Sequence, residues 1–93
     1  MPQNRTTIRT DRFEQALLLL EPDMAVADEY LSGVEWILSR DPLAGYPADD
    51  TSTIHTIYIG QESVVFAGFT IFYSFNEEYV WLLDITRLSR LEP

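Results

Sequence analysis

The sequence predicts an α+β domain: a two-helix hairpin packed on an antiparallel sheet of about four strands. Two patterns carry the prediction. From Phe13 to Leu38 apolar residues recur every three or four positions, and from Thr53 to Thr86 the period falls to two. A stretch containing Pro42, Gly45 and Pro47 separates the two regimes. A length of 93 residues bounds the chain to one domain, residues 1–93, with a modest core.

Residues 1–4 read as a frayed start. Residues 5–10 include Thr6, Thr7, Ile8 and Thr10, a β-branched set that suits a short first strand. Asp11 is followed three positions later by Glu14, the spacing of a capping box, and predicts the start of the first helix. Phe13, Ala16, Leu17 and Leu20 form its apolar stripe. Glu21-Pro22-Asp23 breaks that helix, with Pro22 suited to the first turn of the next and Asp23 to its positive end. Met24, Ala27, Leu31, Val34 and Leu38 then make a second stripe, widened by Tyr30 and Ile37 and opposed by Asp28, Glu29, Ser32 and Glu35. The whole stripe is expected in the core. Asp41-Pro42 ends the helix, because a residue before proline avoids helical backbone.

Residues 43–52 read as a loop. Strands are predicted at 53–59, at 64–75 with a break or bulge at Gly68, and at 79–86. Gly60-Gln61-Glu62 and Asn76-Glu77-Glu78 supply the turns, and residues 87–93 form a short tail. Strict alternation puts Phe69, Ile71, Tyr73 and Phe75 on one face with Tyr79, Trp81, Leu83 and Ile85, packed under Phe13, Leu17, Leu31, Val34 and Leu38. The opposite face carries Thr70, Phe72 and Ser74, then Val80, Leu82, Asp84 and Thr86. It is half polar and is expected to be open.

Composition narrows the function. There is no lysine, and six arginines face fifteen acidic residues, for a net charge of −9. Between Phe13 and Thr86 the only cation is Arg40. Proteins that grip nucleic acid draw most of their affinity from Lys and Arg, so direct binding to RNA, DNA or an anionic membrane is disfavoured and a basic protein partner is favoured. No cysteine is present, which removes disulfides and thiolate metal sites. Residues 1–10 lack the apolar core of a signal peptide, and no apolar stretch is long enough to span a bilayer. These features point to the cytoplasm.

The order strand, two helices, antiparallel meander is joined by two local patterns. One is Trp36-Ile37-Leu38-Ser39-Arg40-Asp41-Pro42-Leu43-Ala44-Gly45. The other runs from Phe69-Thr70-Ile71-Phe72-Tyr73 through Tyr79-Val80-Trp81-Leu82-Leu83-Asp84-Ile85-Thr86-Arg87. Together they resemble the RelE/ParE superfamily, bacterial toxins of type II toxin–antitoxin systems, often labelled plasmid stabilisation proteins. The resemblance spans roughly residues 7–90. It implies a cognate antitoxin as partner and the ribosome or gyrase as cellular target. Two activities follow from it: ribosome-dependent mRNA endoribonuclease, or action through protein binding. Where the family strand carries Arg, this chain carries Thr70, and only Arg87 falls on the family's closing basic position. Ribonuclease members use cations to stabilise charge that builds on the scissile phosphate. The substitution therefore favours a toxin or toxin-like component acting mainly through protein binding. The alternative outside the family is an unrelated acidic α+β protein-interaction domain.

The candidate catalytic residues are Arg87, as a phosphate ligand, and His55, the only histidine, as a base. Each has a plain structural reading beside it: a solvated strand-end cation, and a satisfied strand histidine. Thr70, Phe72, Ser74, Asp84 and Arg90 are the candidate substrate or partner surface, with Asp84 expected to pair with Arg87 or Arg90. Tyr46, Tyr58, Tyr73 and Tyr79 are expected in packing or a protein interface, since no cations accompany them for base stacking. Asp49-Asp50 and Glu77-Glu78 lack the ligand-bearing loop of a hard-cation site, so no metal is expected. No cofactor fingerprint is present and no cofactor is expected.

Overall fold

The computed structural model describes residues 4–48, 53–59 and 68–87. Strand β1 (Thr6–Arg9) leads into helices α1 (Asp11–Leu20) and α2 (Met24–Arg40). A 3-10 turn (Pro42–Ala44) follows, then β2 (Tyr46–Pro47), β3 (His55–Ile59), β4 (Phe69–Phe75) and β5 (Tyr79–Arg87). Among the described residues the strands form one five-stranded sheet in the order β1-β5-β4-β3-β2. β1 runs parallel to β5, and the other pairs are antiparallel. The sheet is thus mixed. The strand beyond the expected four is β2, two residues long, within the stretch read as loop. The turn at 60–62, the residues of the long strand before Gly68, the Asp49-Asp50 pair and the tail beyond Arg87 lie outside the described residues.

Both helices are capped by hydroxyl or carboxylate oxygens, α1 one residue before the expected Asp11 and α2 at Asp23, the residue expected at its positive end. Thr10, not Asp11, caps α1: its Oγ1 accepts from the Phe13 amide at 3.2 Å and donates to the Leu82 carbonyl at 2.8 Å. A hydroxyl can do both, whereas an aspartate only accepts, so the threonine ties the helix start to β5. Asp23 caps α2, its Oδ1 accepting from the amides of Ala25 and Val26 at 3.1 and 3.4 Å. Pro22 therefore precedes the helix and does not open its first turn.

The core lies between the helices and one face of the sheet. Phe13 and Leu17 of α1 and Ala27, Leu31, Val34 and Leu38 of α2 are buried against Phe69, Ile71 and Tyr73 of β4 and Val80, Leu82 and Ile85 of β5. Met24 and Ile37, expected in this stripe, are exposed. Met24 is the first residue of α2, where the helix has just left the hairpin turn, and Ile37 sits on the shoulder of the stripe, about 100° round the helix from Leu38.

The second correction is on β5. Strict alternation puts Trp81 and Leu83 inward, but the inward residues are Val80 and Leu82. Phe72 pairs with Asp84 while the next residue, Tyr73, pairs with Leu82, so the register passes over Leu83. This bulge inserts one residue and inverts the facing of everything before it. Ile85, after the bulge, faces inward as the alternation predicts. At the other end of β4 Gly68 has φ 85°, a left-handed backbone that suits glycine and marks the break expected there.

Candidate functional site

The sheet face turned away from the helices is assembled from four strands. Thr56 pairs with Phe72 and Tyr58 with Thr70 across β3 and β4. Thr70 pairs with Thr86, Phe72 with Asp84 and Ser74 with Trp81 across β4 and β5. Ile8 of β1 lies beside Trp81. The bulge adds Leu83 to this face next to Asp84, and a shallow cavity of about 320 Å³ opens there, lined by Arg12, Ile54, Phe72, Leu83 and Asp84. Its floor is apolar. Its charged part is a single ion pair, Arg12 Nη2 to Asp84 Oδ2 at 3.3 Å, and Asp84 Oδ1 also accepts from the Ile85 amide at 2.9 Å.

The expected surface residues thus divide. Phe72 and Asp84 meet at the cavity, and Ser74 is half-buried one pair further along β4. Thr70 is only 8% exposed and sits between Tyr58 and Thr86, which limits what it offers a partner. Asp84 is in an ion pair as expected, with Arg12 and not with Arg87. Arg90 lies outside the described residues.

The two candidate catalytic residues are not brought together. His55 is on the helix side of the sheet, its ring 5.7 Å from that of Tyr73 and 5.1 Å from that of Phe75, with Nδ1 3.3 Å from the Thr53 carbonyl. Arg87 is exposed at the end of β5, opposite Phe69. Their partners Phe69 and Tyr73 are four residue steps apart on β4, roughly 13 Å along the strand. A general base and a phosphate-binding cation that far apart do not share one reacting group.

The remaining arginines are engaged. Arg9 reaches across the helix side of the sheet to Glu35, at 2.9 and 3.1 Å, and to Asp28 at 3.1 Å. The Glu35 hydrogen bond raises its already high pKa, so it stays charged under all ordinary conditions. Arg5 Nε donates to the Asn76 carbonyl at 2.6 Å, with its guanidinium 5.9 Å from the centre of the Phe75 ring. Arg40 stacks over Trp36 at 4.1 Å. Among the described residues Arg87 is the one arginine without a carboxylate, carbonyl or ring partner.

Tyr73, on the strand that carries the resemblance, is fully buried. Its hydroxyl donates to the Pro42 carbonyl at 2.5 Å and accepts from the Gly45 amide at 3.2 Å. Burial pushes its pKa up. Gly45 is required beneath it, because a Cβ there would sit 2.6 Å from the Tyr73 hydroxyl oxygen and closer still to the Thr56 carbonyl. This tyrosine fixes the loop after α2 to the sheet and is not presented to a substrate.

Sequence reasoning misses the cavity, because Arg12 and Ile54 carry no pattern and strict alternation puts Leu83 on the core face. Glu-rich and Asp-rich turns were visible, and among the described residues no group of three or more His, Asp or Glu side chains is placed to hold a metal ion. No described helix is long and apolar enough to cross a membrane.

No protein-family model matches the sequence, and no curated protein matches it either. Solved structures do. A chain of the crystal structure of the toxin–antitoxin complex RelBE2 from Mycobacterium tuberculosis superposes with a TM-score of 0.72, at 19% identity, over 94% of each chain. The two-helix hairpin on a mixed sheet is therefore a RelE-like fold.

Proposed function

We propose that the chain is the toxin, or a toxin-like component, of a bacterial type II toxin–antitoxin system, that it acts in the cytoplasm mainly by binding protein, and that it is held by a cognate antitoxin. The fold likeness over nearly the whole chain supports the system. The observation that carries the mode of action is the state of the cations. Phosphodiester cleavage by a 2′-hydroxyl builds negative charge, and each preset donor to that charge contributes a factor of about 100 to 1,000. Here the described arginines other than Arg87 are spent on Glu35, Asp28, Asp84, the Asn76 carbonyl and Trp36. What remains on the sheet face away from the helices is hydroxyls, aromatic rings and an apolar cavity, the materials of a protein contact.

The ribosome or gyrase is the class of target this reading gives. Exposed Arg87 is the observation that favours the alternative, a ribosome-dependent endoribonuclease. The test is controlled expression in a bacterial host with and without the product of the adjacent gene. Growth arrest relieved by co-expression, with a stable complex between the two products, is the expected result. Absence of both arrest and complex overturns the reading and leaves an unrelated acidic interaction domain.

A further inference from the structure

The tip of the helical hairpin carries exposed apolar side chains flanked in sequence by carboxylates. Leu18, Leu19 and Met24 are 54%, 85% and 53% exposed within one α1–α2 connection. Glu14 stands one helical turn before Leu18, and Glu21 and Asp23 lie between the leucines and Met24. None of these three acids has an ion pair among the described residues, and there is no Lys or Arg between Arg12 and Arg40. The negative end of α1 and the positive end of α2 meet here and offset each other, so the carboxylates set the sign of the local potential.

From this arrangement we infer that the hairpin tip is a docking site for a cationic amphipathic helix of a partner protein. This rests on the reading of the chain as a protein-binding component. The occupant follows from charge. A second copy, also at −9, would bring two sets of carboxylates together, whereas Lys and Arg flanking an apolar stripe satisfy both parts of the patch. The tip offers side chains of two helix ends and no sheet edge, so strand addition is unavailable and the helix mode remains.

The probe is a synthetic Leu/Lys amphipathic helix of about five turns, titrated into the full chain and followed by fluorescence anisotropy. A scrambled peptide of the same composition is the control for charge alone. Binding to the helix and not to the scramble is expected. Leu18→Ser with Leu19→Ser weakens it by about tenfold or more, as does Glu14→Gln with Glu21→Gln. Glu77→Gln with Glu78→Gln, the same change of charge at the β4–β5 turn, leaves it intact. All but the half-buried Glu21 are exposed sites, and thermal melts verify that each variant folds. Equal binding of the scramble, equal loss in both charge variants, no binding at all, or a concentration-dependent dimer abolished by the leucine changes each overturns the proposal. Growth arrest by the unmodified chain is read separately. Arrest without tip-dependent binding rejects the docking site alone, and tip-dependent binding without arrest rejects the toxin reading alone.

Discussion

Tyr73 shows how one side chain sets the position of a whole loop. Its hydroxyl is the buried link between β4 and the Pro42–Gly45 segment, donating to one backbone group and accepting from another. Tyr73→Phe keeps the ring and strands both partners, which costs about 1–3 kcal/mol. Chemical denaturation at neutral pH checks the figure. The same residue gives the protein an alkaline limit. Burial raises the folded pKa above the unfolded value of about 10, so the neutral hydroxyl's contribution is fully present below that value and is lost as pH rises through the folded pKa. The stability gap between wild type and Tyr73→Phe should therefore be constant from neutral pH to about 10 and shrink above it. Residue identity also limits what was legible. The sequence marks Tyr73 as an apolar strand position, but nothing in the spacing shows a phenol bonded to a carbonyl 31 residues earlier. Likewise Asp84 reads as a structural ion pair from sequence, yet its partner is Arg12, 72 residues away in the chain.

At the scale of elements, the helices were legible because their 3.6-residue period is written in four positions of α1 and at least five of α2, and single-residue errors at caps do not disturb it. β5 was half legible. Its boundaries follow from alternation and turn residues, but a bulge is one inserted residue with no composition signal, and it turns the rest of the strand over. The consequence is measurable. Leu82→Ala, which opens the core, should destabilise by about 2–5 kcal/mol, as should Leu31→Ala. Leu83→Ala removes a half-buried side chain from the opposite face and should cost well under half of that. Equal losses at Leu82 and Leu83 would show that the register shift is not present in solution.

At the scale of the molecule, the charge of −9 and the engagement of the arginines act together. The net charge repels phosphates at long range, and guanidiniums already held by carboxylates, a carbonyl or a ring are less available to them at short range. Duplex DNA and bulk RNA should show no measurable affinity at physiological salt in a mobility-shift assay. Micromolar binding there would mean that Arg87 and the residues beyond it form a basic patch that outweighs the global charge. The fold class came through from sequence at this scale because order and periodicity of elements survive local errors. The candidate site did not, since it depends on which residues the bulge and the long-range arginine contacts bring to one face.

The most direct test of a protein-binding rather than RNA-cutting component is to add the purified chain to translating ribosomes and map the ends of the mRNA by primer extension. Intact message, or cleavage at least about 100-fold weaker than that of an active ribonuclease of the same fold, is the predicted result. Efficient codon-phased cleavage by the unmodified protein, abolished by Arg87→Ala, would contradict it.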